Sequence, residues 1–350
     1  MEKIYLEDLK QLEEQADKAG NTPMMTFGKV LMLVILNMRY ERIMINRDLD
    51  THPYLLTRQL IKEASIFLKM WQESAFIEDS SRELPLKGKE AMESVHKSLF
   101  QRLWTRFTPE EYEGRIQRYT FRLRLNNLAN GWLKGFRCID FGCGHGNFAH
   151  ALLREGAEYV YAIDFGEDSI KYAIKQRDSL GIQASQIEFK LESVYKVSKE
   201  DNSFDFAVQN GVFHHLEDEI AAIKEVRRVL KPGGWFWFYT IGSGAIGREL
   251  LLASRRILRD VSQETVLSCL DCLNIETGKR YHLSDALNAT YRYTSWNELT
   301  GRLSSLGFGN FRRLVGGFET DFDHDVIAKD KYGPEKFGEG DLRLLAQKLP

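Results

Sequence analysis

Cysteine is scarce, no long apolar run occurs, charge is nearly balanced, and no internal repeat or low-complexity segment stands out. Each shortage removes a class of protein. Four cysteines in 350 residues, two of them in a glycine-rich stretch, do not make a disulfide framework and fit a reducing compartment. The longest early apolar run, Val30 to Leu36, falls far short of the length that crosses a bilayer. Met1-Glu2-Lys3 opens without the charged-then-apolar pattern of a secretory leader, so the expectation is a cytoplasmic protein with no membrane span. A formal net charge of -2 and a pI near 6.5 give the whole molecule no attraction to nucleic acid or anionic lipid. Only a local basic face remains as a route to either.

What is present is enough apolar material, 43% of 350 residues, for a sizeable core in one large domain or two smaller ones. Leu6, Leu9, Leu12, Ala16 and Ala19 are spaced for one helix face, which Gly20-Asn21-Thr22-Pro23 ends. A second helix is expected from Pro23 to Ile45. A third, Pro53 to Phe76, carries a wide apolar stripe that includes Leu60, Ile61, Ala64, Phe67, Leu68 and Trp71. These predict an N-terminal helical domain over residues 1–85, bounded by the polar run Glu78-Asp79-Ser80-Ser81. Residues 86–135 read as a helical connection. In it Arg102, Arg106, Arg115, Arg118, Arg122 and Arg124 are interleaved with Trp104, Phe107, Tyr112, Tyr119 and Phe121. Those arginines suit a solvated face neutralised by Glu110, Glu111 and Glu113, or an anion-binding wall whose guanidinium forks pair with phosphate or carboxylate.

After Phe136 the texture changes to alternating strands and helices. Strands are expected at 136–141, 159–163, 187–191, 204–208 and 235–239, with helices at 147–155, 167–180 and 217–230 between them. That alternation predicts an α/β domain over 136–350 with a doubly wound, mostly parallel sheet, whose ligands bind outside the carboxyl ends of the strands. Lys231-Pro232-Gly233-Gly234 reads as a sharp stop before the fifth strand. A mostly helical insertion, 241–292, follows that strand and is expected to shape substrate choice. Asn310 to Val315 and Asp341 to Gln347 read as sixth and seventh strands, and Thr294 to Glu298 as a capped helix start.

The stretch that organises the chain is Asp140-Phe141-Gly142-Cys143-Gly144-His145-Gly146, where a strand stops at an acid and three glycines alternate with other residues. Glycine takes positive φ at little cost and leaves the loop amides open to a ligand. In a dinucleotide fingerprint the third glycine comes three residues after the second; here that place is Asn147, so a nicotinamide cofactor loses ground. An acid two residues before Gly142 suits a ligand with a cationic amino group and repels a pyrophosphate. Asp164, at the end of the second strand, lies where a carboxylate can accept both ribose hydroxyls. Glu192-Ser193-Val194 and Asn210 to Leu216 follow the third and fourth strands, so four strand ends converge on one pocket.

At these residues the chain resembles the class I S-adenosylmethionine-dependent methyltransferases, over about Phe136 to Tyr239. The Asp140–Gly146 loop matches the first motif of that family, Ala162-Ile163-Asp164 the second, and Lys231-Pro232-Gly233-Gly234 the turn before its fifth strand. The Asn210–Leu216 segment is similar to the subgroup that methylates small metabolites, quinone precursors and sugars. The resemblance implies a seven-stranded, Rossmann-like sheet closed by an antiparallel hairpin, with S-adenosylmethionine as cofactor. It implies that Gly142, Gly144 and Gly146 line the methionine part, that Asp140 holds the amino group or orders the loop, and that Asp164 holds the ribose. Glu192, or its neighbours Ser193 and Val194, is implied to approach the adenine, and the Asn210 backbone the sulfonium. Many relatives have Gly-Asp-Ala where this chain has Glu192.

The implied reaction is in-line displacement at the sulfonium methyl, for which positioning supplies much of the rate. A hydroxyl acceptor needs a base, and His214 and His215 are the best-placed titratable groups; the alternative is that one packs under the sheet edge and the other contacts cofactor or caps the next helix. The acceptor expected is a hydroxyl or amine of a small metabolite or saccharide, anionic ones included, and an oligomer is allowed. The alternatives are RNA methylation through the arginine-rich helices 102–124, with nucleic acid the weaker partner, and a non-catalytic binding module. Cys269-Leu270-Asp271-Cys272 lacks a second pair and reads as thiols on a helix, so no metal is assigned. Thr320 to Asp325 reads as a solvated acidic loop, with a divalent metal or substrate-hydroxyl recognition as the alternatives.

Overall fold

The computed structural model describes residues 3–73, 107–129, 131–273, 275, 283–284, 286–287, 291–318 and 320–350. They divide into two compact units, the first within 1–96, 244–290 and 327–338, the second within 97–243, 291–326 and 339–350.

The first unit is helical. Its helices are Tyr5–Lys18, Pro23–Ile45, Pro53–Gln72, Ile246–Ile257, Gln263–Cys272 and the short Gly333–Phe337. Thr22 caps the second helix by accepting from the Met25 amide, with Pro23 in the first turn where its missing N–H costs nothing. The third helix ends at Gln72 rather than Phe76. The residues read as its closing boundary, 78–85, lie outside those described. Leu9, Leu12, Val30, Leu33, Ile61 and Leu68 share one core with Leu250, Val266 and Leu270. The helices read as an insertion after the fifth strand thus bury their apolar faces with the N-terminal helices.

The second unit is a seven-stranded sheet in the order β3-β2-β1-β4-β5-β7-β6. The strands are β1 Arg137–Phe141, β2 Tyr159–Asp164, β3 Ile187–Leu191, β4 Phe204–Asn210, β5 Leu230–Ile241, β6 Phe308–Arg313 and β7 Asp341–Lys348. The first five run parallel, and β7 pairs antiparallel with both β5 and β6. Helices cover both faces, so Ile139, Phe141, Val160, Ala162, Phe206 and Val208 are all buried, the near-continuous apolar reading of a parallel strand. β5 begins earlier than expected: Leu230 already pairs with Phe204, and Lys231 to Gly234 loop out before Trp235 pairs with Phe206. β6 begins and ends two residues before the predicted segment, because Gly307 closes the preceding helix and Phe308 pairs at once with Lys348. That helix, Trp296–Ser305, starts with the expected capping box between Ser295 and Glu298. Chain connections leave β1 toward β2 and β3 on one side and run through β4 and β5 on the other. The crevice outside the carboxyl ends of β1 and β4 is therefore the switch point where this topology binds ligands.

Candidate active site

Three glycines turn the chain from β1 into the helix Asn147–Arg154, with φ of +73° at Gly142, +50° at Gly144 and +81° at Gly146. A side chain at Gly142 would strike Val212, and one at Gly146 would strike Phe189. At Gly144 an added Cβ meets nothing within 4 Å, so this residue faces open space. The loop is pinned to β2: the Gly142 and Cys143 amides both donate to the Ile163 carbonyl, at 2.8 and 2.9 Å. Asp164 completes the tie. Its carboxylate accepts from the Gly144 amide at 2.9 Å and the Gly166 amide at 2.8 Å, and remains half-buried at the rim.

Asp140 lies beneath this loop, 2% exposed, and its Oδ2 has no hydrogen-bond partner among the described residues. Burial, aided by the Asp164 carboxylate, pushes its carboxyl up to about 8, against a hydrogen bond from the Ala149 backbone. A buried carboxylate at a helix N-terminus with an unmatched oxygen calls for a cationic or hydrogen-donating ligand.

The helix Pro109–Leu125 supports the loop from behind. Tyr112 Oη donates to the His145 carbonyl at 2.7 Å and lies 3.2 Å from His150 Nδ1, which is itself 2.7 Å from the Gly146 carbonyl. Burial holds His150 down to about 4, opposed by that carbonyl, and burial with Arg115 holds His145 down to about 3, so both rings are neutral supports at neutral pH. Nothing in the periodicity of either segment announced this clamp.

After β3, the Glu192 carboxylate accepts from Tyr161 Oη at 2.7 Å, from the Ser198 amide at 3.1 Å and from the Ser198 hydroxyl. Ser193 Oγ accepts from the Tyr195 amide at 3.2 Å, and Val194 is buried. Glu192 thus orders its own turn, while Ser193 and Val194 carry the chain past the end of β3. At the end of β4, Asn210 Oδ1 accepts from Trp237 Nε1 at 3.3 Å, and its Nδ2 lies 3.5 Å from Tyr119 Oη. The Tyr119 ring lies tilted against Phe148, with centroids 4.7 Å apart. A side chain at Gly211 would touch the Tyr239 ring at 3.3 Å. Asn210 is thus held between the buried Trp237 of β5 and Tyr119 of the arginine-rich helix.

His214 and His215 sit on a 3-10 turn, Phe213–His215, with ring centroids 4.1 Å apart. His214 Nδ1 lies 3.3 Å from Thr240 Oγ1, its ring stacks on Tyr291, and Tyr291 also meets His215 edge-on at 4.5 Å. Neither histidine caps the next helix, because Asp218 does so by accepting from the Ala221 amide at 2.9 Å.

Two readings of charged segments change. The acidic segment 320–325 is solvated only in part: Thr320, His324 and Asp325 are exposed, whereas Asp321 and Asp323 are each 3% exposed and pair with Arg122 and Arg343. Arg122 reaches Asp321 at 2.6 Å, and Arg343 reaches Asp321, Asp323 and Asp341 at 2.9, 2.6 and 3.1 Å. Two of the carboxylates that suggested a metal, Asp321 and Asp323, are spent on guanidinium groups, since a buried acid without a partner is far costlier. Of the six arginines, Arg102 and Arg106 lie outside the described residues. Arg115 covers Phe107, Arg118 reaches Thr320, Arg122 is buried on Asp321 and Arg124 bonds Glu155. Cys269 is buried and Cys272 exposed on one helix, and no group of three metal-ligating side chains occurs among the described residues.

The sheet order, the glycine loop with its buried acid, and the carboxylate at the end of β2 define a class I S-adenosylmethionine-dependent methyltransferase domain. Residues 139–238 match the family described as a methyltransferase domain. The chain is 35% identical over 136 residues to a ubiquinone biosynthesis O-methyltransferase of Paracidovorax citrulli, covering 37% of this chain and 55% of that enzyme. It is 31% identical over 122 residues to a biotin biosynthesis bifunctional protein of Teredinibacter turnerae, covering 33% of this chain and 21% of that protein. The chain thus spans about half the length of the ubiquinone relative it matches. Among solved structures, a didemethyltoxoflavin N1-methyltransferase of Burkholderia thailandensis is similar at 16% identity and a TM-score of 0.45, covering 77% of this chain and 95% of that one.

S-adenosylmethionine is the cofactor of this class, and the residues present fit it. A ligand ammonium would match the unpartnered Asp140 oxygen, the open side of Gly144 leaves room for a ligand along the loop, and the Asp164 carboxylate stands at the rim.

Proposed function

We propose that the chain methylates a hydroxyl of a small aromatic or quinone-like metabolite. The observation that carries this is the pairing of the Asp140–Gly146 loop with Asp164, with Tyr119 beside Asn210 and Tyr239 beside Gly211 at the end of β4. The similarity to a ubiquinone biosynthesis O-methyltransferase supports the hydroxyl acceptor, and the partly exposed rings of Tyr119 and Tyr239 support a flat acceptor. The cofactor supplies a methyl group already activated by its sulfonium charge, so the chain's work is alignment and proton removal. Asp140 and the loop amides hold the methionine end, Asp164 the ribose, and the backbone past Ser193 and Val194 borders the base. Asn210, fixed by Trp237 and Tyr119, sets the floor beneath the reacting centre. His214, oriented by Thr240 and Tyr291, or its contact neighbour His215, takes the acceptor's proton.

RNA methylation is the weaker reading, because each arginine described between 115 and 124 already has an acid, hydroxyl or aromatic partner. The test is to incubate the protein with methyl-labelled S-adenosylmethionine and a panel of catechols and phenols, beside nuclease-treated and untreated extract. Label in a phenolic ether supports the proposal. Label only in nuclease-sensitive material, or none in any fraction, removes it.

A further inference from the structure

Donors and acceptors at the end of β4 pair off so that one hydroxyl proton is left without a destination. Trp237 is fully buried and its indole N–H can only donate, so the Asn210 atom 3.3 Å from it is the amide oxygen. That fixes the rotation of the carboxamide and turns its Nδ2 toward Tyr119 Oη, 3.5 Å away. An amide nitrogen can only donate, so the Tyr119 oxygen is the acceptor of this contact and its own proton points elsewhere. No acceptor for that proton occurs among the described residues, and the Tyr119 side chain is partly exposed.

The fold sets this hydroxyl at the crevice. The Tyr119 ring lies against Phe148, in the first turn of the helix that follows the glycine loop. A side chain at Gly142 would strike Val212, two residues past Asn210, so the glycine loop and the end of β4 are neighbours. A side chain at Gly211 would lie 3.3 Å from the Tyr239 ring and 3.9 Å from His214 Cε1. Asn210 and Gly211 therefore bring Tyr119, Tyr239 and His214 to one strand end.

A donor at that place discriminates between nucleophiles. A hydroxyl oxygen has two lone pairs, so one can attack a methyl group while the other accepts a hydrogen bond. The nitrogen of a neutral amine has one. A donor aimed at the reacting atom assists oxygen, and it competes with nitrogen for the only pair that can attack.

We propose that Tyr119 Oη donates to the reacting oxygen of the methyl acceptor and so selects a phenolic oxygen over an amine. The inference deepens the hydroxyl-acceptor reading above and rests on it. The acceptor's proton leaves to the base, and its oxygen pair forms the O–CH3 bond as the S–CH3 bond breaks with its pair to the departing sulfur. Tyr119 keeps its own proton throughout. Its hydrogen bond is charge-assisted on the phenolate and weaker on the ether, so it favours the ionised acceptor and then lets the product go.

Tyr119→Phe keeps the ring against Phe148 and removes only the hydroxyl. With S-adenosylhomocysteine bound, 4-nitrophenol followed by its absorbance should ionise about one pH unit lower on the native chain than on the variant. The variant should bind S-adenosylhomocysteine as the native chain does. It should lower kcat/KM for phenols by about tenfold or more, and the phenol-to-aniline ratio by a similar factor. A residue that only braced Asn210 would slow both acceptors alike. Equal ionisation of the probe on both proteins, or a phenol-to-aniline ratio that the variant does not move, overturns the inference and leaves the hydroxyl-acceptor reading in place. Lost affinity for S-adenosylhomocysteine assigns the hydroxyl to the cofactor and overturns it too. A native chain that methylates no phenol removes both.

Discussion

Asp140→Asn isolates the charge beneath the glycine loop. Burial, with Asp164 as the second cause, raises the Asp140 carboxyl from 3.8 to about 8 in the folded chain. Unfolding returns it to the ordinary range, so across the window from about 4 to 8 the folded chain holds a proton that the unfolded chain gives up. Stability therefore falls as pH rises through that window. At about 1.4 kcal/mol per pH unit, the roughly 3 units between 3.8 and pH 7 make a cost of at most about 4 kcal/mol. Asparagine carries no such cost, so its melting temperature relative to the native chain should climb from pH 4 to pH 8. A ligand ammonium placed against Asp140 reverses the preference and favours the ionised form. Binding of S-adenosylhomocysteine should then release up to one proton, and its affinity should rise by up to about tenfold per pH unit below pH 8. Calorimetry in buffers of different ionisation enthalpy measures that proton directly. The reasoning is refuted if no proton is released, or if Asp140→Asn keeps the same pH slope.

The other predictions separate fold from site. Gly144→Ala should fold and lose S-adenosylhomocysteine affinity, since its Cβ enters only the open side of the loop; Gly146→Ala should lose stability by about 2 kcal/mol, because its Cβ runs into Phe189. Thermal melts with and without ligand distinguish the two. Arg343→Met leaves Asp321 and Asp323 buried with fewer partners and should cost about 3–5 kcal/mol by denaturant unfolding. Arg343 and the Arg122 hydrogen bond hold the Asp321 carboxyl below its ordinary range despite burial, so its share of stability is present above that range and lost as pH falls through it; acid titration of Asp321→Asn should show a shallower loss. His214→Gln and His215→Gln should leave ligand binding intact, and whichever is the base should lower kcat by about a hundredfold or more with loss of one limb of the pH profile.

The parallel sheet was legible because its strands are buried on both faces and read as apolar runs cut by glycine and acid. The glycine loop was legible because positive φ and close ligand approach restrict residue type, and the Asp140-to-Gly142 spacing distinguishes an ammonium from a pyrophosphate. Long-range charge pairing was not. Nothing local tells Asp321 that Arg122 and Arg343 lie beside it, so its acids read as solvent-facing or metal-binding. The same holds for Tyr112, whose hydroxyl clamps a loop 33 residues away. The β5 start was missed because a Lys-Pro-Gly-Gly turn reads as a stop, whereas pairing of Leu230 with Phe204 begins the strand ahead of the excursion.

The central claim is that the crevice at the ends of β1, β2 and β4 holds S-adenosylmethionine through the glycine loop and Asp164. The direct measurement is calorimetric titration of S-adenosylhomocysteine into the native chain and into Asp164→Ala, whose carboxylate no longer accepts from Gly144 and Gly166. The account predicts one site per native chain and an affinity about a hundredfold or more weaker in the variant, with its circular dichroism unchanged. Absence of binding to the native chain, or equal affinity in both, contradicts it.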